Sequence, residues 1–274
     1  MSEFEKWFES KKNDDFSNKI IKHEQIKKFL YAVKDLLFPG YDDYIEDLKN
    51  YLDLKLSEVR KTLLDLLCET ELIEPICECG THECIIDNFL EKLPEVDRLL
   101  NTDIEAIYSG DPAANSTKEI IICYPGFRAI FTYRIAHILY DLNIPILPRA
   151  LSEYAHSKTG IDIHPGAKIK NHFCIDHGTG IVIGETAEIG EHVKIYQGVT
   201  LGALSLAKGQ ALKGNKRHPS IKDYVTIYSG ASIFGGETVI GSHTTIGSNA
   251  YITSSVDEYM LVTIDGMMKK KVKH

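Results

Sequence analysis

No stretch of this 274-residue chain approaches the roughly 18 consecutive apolar residues of a membrane-spanning helix, so no membrane span is expected. The opening residues, MSEFEKWFESKKNDDF, lack the apolar core of a secretory signal. Cysteine is sparse. Cys68, Cys77, Cys79, Cys84, Cys123 and Cys174 do not form the dense framework of a small secreted domain, and a chain this long needs none. The cytoplasm is therefore the expected compartment. Positive charge is also short: 31 Lys and Arg stand against 39 Asp and Glu, for a formal charge of −8. That balance excludes a general nucleic-acid binder but leaves room for a local basic loop. The rest is ordinary, with 43% apolar and 26% charged residues, enough for one large domain or two modest ones.

Two periodicities divide the chain. Up to residue 158 apolar residues recur at helical spacing. Helices are predicted over 18–37, 44–67, 94–108, 125–142 and 145–157, with Phe38-Pro39-Gly40 as a stop between the first two. In the second, Ile45, Leu48, Leu52, Leu56, Val59, Leu63 and Leu66 form one stripe, best read as core packing and subunit contacts.

From Gly160 onward an aliphatic residue recurs every six positions: Ile163, Ile169, Ile175, then Ile183, Ile189, Ile195, Leu201. The series resumes at Ile221, Ile227, Ile233, and again at Ile240, Ile246, Ile252. A six-residue period cannot be a long α-helix. It fits a parallel β-helix, each hexapeptide forming one side of a triangular coil and each aliphatic side chain pointing inward. The reading is thus α+β: an all-helical domain over 1–158, a β-helix over 159–258 and a tail over 259–274.

The breaks in this period carry the chemistry. Two extra residues separate Ile175 from Ile183, and a long insertion separates Leu201 from Ile221; Asp176-His177 and Arg217-His218 fall in them. Repeat folds place insertions in loops on one face, often the binding face. An imidazole can take the proton of an alcohol, which a hydroxyl attacking a thioester requires. Asp176 and Arg217 offer an anion and a cation for a zwitterionic amino acid, and Asp162, one coil earlier, is placed to orient His177. The insertion 203–215 holds Lys208 and Lys213, with Lys216 and Arg217 following, a composition suited to nucleotide phosphates but equally common in solvated loops.

Several motifs resemble serine acetyltransferases in order and type. They are Asp162-Ile-His-Pro-Gly166, Ile175-Asp-His-Gly-Thr-Gly180, Gly184-Glu-Thr-Ala187, Gln197-Gly-Val-Thr-Leu-Gly202 and Lys216-Arg-His-Pro219. Ser109-Gly-Asp-Pro-Ala113 looks like the segment that precedes the β-helix in that family. The resemblance covers residues 94–256 and implies a left-handed β-helix, an exception to the usual right-handed crossover. It implies acetyl transfer from acetyl-CoA to the hydroxyl of L-serine, the first step from serine to cysteine, through a ternary complex without an acetyl-enzyme. By the same resemblance His177 is the general base, Asp162 orients it and His218 holds the serine. Arg217 pairs with the serine carboxylate, Asp111 and Asp176 bind its ammonium, and Glu185 helps hold the pocket. Gly202, Ala203, Ser229 and Ser248 contact acetyl-CoA in a cleft between neighbouring subunits. It further implies a homotrimer, which many members pair into hexamers, and feedback inhibition by L-cysteine. The chain ends Lys271-Val-Lys-His274, without the terminal isoleucine that docks family members into O-acetylserine sulfhydrylase, so that complex is not expected.

Other readings compete. An acyltransferase acting on a sugar hydroxyl would share the repeat but has no need of the Asp111, Asp176 and Arg217 set. A non-catalytic scaffold would not need both His177 and His218. Cys77-Glu-Cys79-Gly-Thr-His82-Glu-Cys84 carries soft donors at short spacing, as zinc sites do, but the spacing is no recognised finger. An ordinary turn is the preferred reading there, and no metal is expected. Cys174, beside the inward Ile175, is read as packed.

Overall fold

The computed structural model describes residues 1–12, 21–41, 44–74, 76, 81–204, 209–212, 214–264 and 269–270. Lys208, Lys213, Cys77, Cys79 and residues 271–274 lie outside them. Seven helices come first: α1 (Glu3–Lys12), α2 (His23–Leu37), α3 (Leu48–Glu71), α4 (His82–Gly110), α5 (Thr117–Cys123), α6 (Pro125–Asp141) and α7 (Leu147–Thr159). Side chains fix several starts. Asp47 accepts from Asn50 N–H at 3.1 Å, Thr81 from Cys84 N–H at 3.4 Å and Ser116 from Glu119 N–H at 3.2 Å. Phe38 follows the end of α2, as its Pro-Gly stop predicts.

The helix predicted over 94–108 is corrected: α4 starts twelve residues earlier and carries Pro94 in its interior. An interior proline costs a backbone hydrogen bond. Here the cost is offset by a continuous buried stripe, Ile85, Ile86, Phe89, Leu93, Val96, Leu100, Ile104 and Ile107, running across it. Among the described residues no helix is long and apolar enough to cross a membrane.

The second part is a left-handed parallel β-helix. Its first coil is β1 (Asp162–Ile163), β2 (Lys168–Ile169) and β3 (Cys174–Asp176). The following strands are β4 (Val182–Ile183), β5 (Glu188–Ile189), β6 (Lys194–Tyr196), β7 (Thr200–Gly202), β8 (Ser220–Ile221), β9 (Thr226–Ile227) and β10 (Ser232–Phe234). β11 (Val239–Ile240), β12 (Thr245–Ile246), β13 (Tyr251–Ile252), β14 (Met260–Val262) and β15 (Lys269–Lys270) complete the series. The strands stack in three faces: β1-β4-β7-β10-β13 (face A), β2-β5-β8-β11 (face B) and β3-β6-β9-β12-β14 (face C), with β15 added antiparallel to the end of face C.

All thirteen aliphatic residues of the six-residue series are buried. Register pairs Ile163 with Ile183 and Ile183 with Leu201 on face A, Ile169 with Ile189 on face B and Ile175 with Ile195 on face C. Each such side chain is worth about 1.5–3 kcal/mol of burial, and the columns are what hold strands of two or three residues together. The coil runs past residue 258: Val262 continues the face C column on Ile246, while Ile240 bridges to Val256 on face B.

The helical part is bolted to the first coil by a buried ion pair. Arg134 of α6 donates to both Asp103 oxygens (2.6 and 2.9 Å) and to the carbonyls of Ile169 and Lys170. Asp103 in turn accepts from Phe173 N–H at 2.9 Å, and Tyr133 donates to Ala167 O at 2.6 Å. With every polar atom of the set bonded, the junction escapes the penalty of an orphaned buried charge. It also fixes the end of α4 against face C.

Candidate functional site

Two corners of the prism hold the residues singled out in the sequence. The corner between faces C and A follows β3. There Asp176 ends the strand and His177 takes a left-handed conformation (φ 59°) before Gly178. That backbone turns the His177 side chain outward, and it is 71% exposed. Its Nε2 lies 3.7 Å from Asp176 Oδ1. The other Asp176 oxygen is 3.0 Å from Lys194 Nζ, and Lys194 also donates to Gly110 O at 2.7 Å. Burial opposes the Lys194 charge, but hydrogen bonds to Tyr196 and Asp176 outweigh it and raise the ammonium above its usual range.

Asp111 reaches the same corner from the end of α4. Its Oδ2 accepts from Tyr124 Oη–H at 2.7 Å and its Oδ1 from Ala113 N–H at 2.9 Å. These bonds, with the nearby charges of Lys194 and His177, hold its carboxyl below the usual range. The Tyr124 hydroxyl is pushed up to about 12 by the same bond. Further along this corner Gly180, Gly198 and Gly230 stack at positive φ, leaving a strip without side chains. Ser229, half-buried, and Ser248, exposed, lie beside that strip 3.2 Å apart.

The corner between faces A and B holds the other half. Thr186 is its hub: Oγ1 accepts from the backbone N–H of Arg217 (2.9 Å) and His218 (3.0 Å). Thr186 N–H donates to His218 Nδ1 at 3.0 Å, so the ring proton of a neutral His218 sits on Nε2. His218 is buried, and burial followed by the Arg217 charge pushes its imidazolium down to about 4. The ring rests on Gly184, where a Cβ would come within 2.1 Å of Cδ2. Arg217 Nη2 donates to Glu185 Oε2, and Tyr140 Oη–H donates to Glu185 Oε1 at 3.1 Å. Burial alone raises the Glu185 carboxyl, but Arg217 outweighs it and holds it below the usual range.

Within one chain face A separates these corners, so His177 and His218 do not meet. Asp162 lies on face A with Arg149, whose Nη1 is 3.5 Å from Asp162 Oδ1; His177 is accompanied by Asp176 instead. Glu153, His156 and Asp162 could present three metal-ligand atoms within 4.8 Å of one another, but Arg149 is ion-paired to both carboxylates. Gly202 ends β7 and Ala203 follows it on face A, away from Ser229 and Ser248. Lys194, Tyr124, Thr186 and Tyr140 were not singled out in the sequence. Strand register carries a signal for the first: the six-residue phase places Lys194 beside Cys174, next to Asp176.

Comparison with known proteins places this arrangement. Residues 53–132 match the model of the N-terminal region of serine acetyltransferases. Serine acetyltransferase 1 of Entamoeba histolytica, solved in complex with L-cysteine, superposes with a TM-score of 0.77 at 40% identity, over 90% of this chain and 88% of that one. The chain belongs to the serine acetyltransferase family. A serine acetyltransferase solved in complex with CoA superposes with a TM-score of 0.58 at 29% identity, over 86% of this chain and 96% of that one. The plasmid-encoded serine acetyltransferase of Synechococcus elongatus is 56% identical over 147 residues, 53% of this chain and 46% of the relative. The match therefore spans about half the length of that curated relative.

Proposed function

We propose that this chain transfers an acetyl group from acetyl-CoA to the hydroxyl of L-serine, giving O-acetyl-L-serine and CoA, in a cytoplasmic route from serine to cysteine. One observation carries the reading: an open imidazole, His177, held on a left-handed corner within electrostatic reach of two carboxylates, Asp111 and Asp176. A carboxylate pair beside a base suits an ammonium group whose own hydroxyl is to be deprotonated. Serine has both; a sugar has no ammonium to use the pair.

The two corners divide the work, and a homotrimer in which the C/A corner of one copy faces the A/B corner of the next completes each site. Such a head-to-tail contact closes into a ring under threefold symmetry. Arg217, already fixed by Glu185, grips the serine carboxylate. His218, neutral and with its proton on Nε2, donates to a substrate oxygen. His177 takes the hydroxyl proton as the serine oxygen attacks the thioester carbonyl. The C–S bond then breaks, and the CoA thiolate recovers the proton from His177. Asp162, whose N–H donates to Ile181 O just past the same C/A corner, orients the base. The glycine strip beside Ser229 and Ser248, together with Gly202 and Ala203, lies along the acetyl-CoA cleft. L-cysteine, with serine's charges and a thiol in place of its hydroxyl, fits the same grip and competes there.

A thiol-release assay with acetyl-CoA, comparing L-serine with L-threonine, L-homoserine and a sugar, tests this directly. L-serine is expected to dominate. Equal release with the sugar, or none with serine, contradicts it.

A further inference from the structure

The end of α4 and the open corner meet on one side chain. Lys194 Nζ donates to Gly110 O at 2.7 Å and lies 3.0 Å from Asp176 Oδ2. Gly110 is the last residue of α4, and its carbonyl belongs to the peptide that leads into Asp111. The first bond therefore fixes the backbone that carries one carboxylate, and the second fixes the other carboxylate. Lys194 and Asp176 are 18% and 17% exposed, so the pair is sheltered from the screening that weakens surface ion pairs. The ammonium also stands 4.7 Å from the centre of the Tyr196 ring, whose face favours a cation. A Cβ on Gly110 would come within 3.2 Å of Nζ, so the glycine gives the lysine room to approach.

Charge gives the lysine a second role. Asp111 and Asp176 each bring a negative charge and Lys194 a positive one, so the three together keep one net negative charge, the complement of one ammonium. Burial pushes the neighbouring Cys174 thiol up to about 12, and the bond to Asp111 pushes the Tyr124 hydroxyl up to about 12, so both stay neutral. Glu119 of α5 is the next carboxylate out, within electrostatic reach of Tyr124 and bonded to Asn115 at 2.7 and 3.0 Å. Along face C the strand neighbours of Lys194 are Cys174 and Thr226, neither of them charged. In the proposed trimer the facing corner brings Arg217 with Glu185, a pair that cancels, and the buried His218. Without Lys194 two negative charges would stand beside His177 with no cation between them. Negative charge favours the protonated imidazole, which cannot act as a base.

We propose that Lys194 is a positioning residue: it ties Asp111 and Asp176 into one ammonium site and supplies the counter-charge that keeps His177 a free base. This rests on the serine acetyltransfer reading of the same corner and extends it to a side chain that acts through others. Through Asp176, which approaches both, Lys194 lies within about 10 Å of the imidazole, about one Debye length at 0.1 M ionic strength. Removing it has two opposing effects on serine. The more negative corner attracts an ammonium at roughly 6 Å only about threefold more strongly in water. Loss of the tie releases both carboxylates, and a misplacement of about 1 Å costs up to about a hundredfold. Positioning therefore wins, and removal lowers kcat/KM.

The test is thiol release from acetyl-CoA with L-serine, measured across pH on the full chain for wild type, Lys194→Met, Lys194→Gln and Lys194→Arg. Lys194→Met should lower serine kcat/KM by about tenfold at neutral pH and leave acetyl-CoA KM unchanged. The acid limb of its kcat/KM profile should move up by about half a pH unit or more, the effect of a unit charge lost at this range. Lys194→Arg keeps the charge and should recover most of the rate and the wild-type limb. Lys194→Gln keeps a donor without the charge, so its limb should move with that of Lys194→Met, and it decides the matter if the methionine variant does not fold. An acid limb that stays in place in the uncharged variants, one that moves as far in Lys194→Arg, or an undiminished kcat/KM without the lysine overturns the proposal. Wild type that releases no thiol with serine refutes the acetyltransfer reading itself, so the two failures are distinct.

Discussion

The two corners differ in how finished they are. At the A/B corner every functional group is already committed: Arg217 to Glu185, His218 to Thr186, Glu185 to Tyr140. At the C/A corner Asp111 and Asp176 are anchored by Tyr124 and Lys194, but the imidazole between them stands out into solvent. On the proposed function, one chain makes a rigid grip and an open base and leaves their meeting to assembly. Preorganised charge is worth most where it need not move at the moment of reaction. On the same proposal the base must reach a proton that only a bound substrate supplies.

Breaking the open corner should have the largest effect. His177→Ala is expected to lower kcat by about two to four orders of magnitude, the usual worth of a general base, with a smaller change in serine KM. Steady-state kinetics decide it, and a near-normal kcat removes His177 from its role. At the rigid corner Arg217→Ala should act mainly on binding, raising serine KM by about 10–100-fold through loss of charge-assisted hydrogen bonds. An unchanged serine KM contradicts the carboxylate grip. Thr186→Val keeps the side-chain shape but removes the acceptor shared by two backbone N–H groups, and it should lower kcat/KM by about tenfold. Thr186→Ser should restore the value. If valine and serine behave alike, the hydroxyl does not position the Arg217-His218 pair.

The smallest effect is a pH dependence set by the rigid corner. Folded His218 is held down at about 4, whereas an unfolded histidine titrates near 6.5. As pH falls through this window the unfolded chain binds a proton that the folded chain refuses. Stability from this residue is therefore complete above about pH 6.5 and is lost progressively toward pH 4. Thermal melts of wild type and His218→Gln across that range should show wild type losing more. Parallel curves mean the ring is not buried in neutral form.

What could be read from sequence follows from periodicity. The β-helix was legible because each inward position repeats in fixed phase, and its three columns are those the six-residue spacing predicts. The helical half was less so. The start of α4 hid behind Pro94, since a proline reads as a helix start until tertiary burial of Leu93 and Val96 overrides it. α5 is seven residues long and carries too few turns for a periodic signal. In the site, His177 and Arg217-His218 announced themselves by interrupting the repeat. Thr186, Tyr140, Tyr124 and Lys194 did not, because each acts through a contact 13 or more residues away in sequence. The glutamate of the same Gly-Glu-Thr-Ala run was placed by family likeness, and its bond to Arg217 is visible only once faces A and B are folded.

The most direct test of a site shared between copies is subunit complementation. His177→Ala and His218→Ala chains, each nearly inactive alone, are unfolded and refolded together, and serine acetylation is measured. A neighbour pair that joins the intact His177 of one chain to the intact His218 of the next rebuilds a complete site, and random mixing makes roughly a quarter of all sites whole. Activity should return to about that fraction of wild type. Activity no greater than that of the refolded parents would contradict a site completed across the interface.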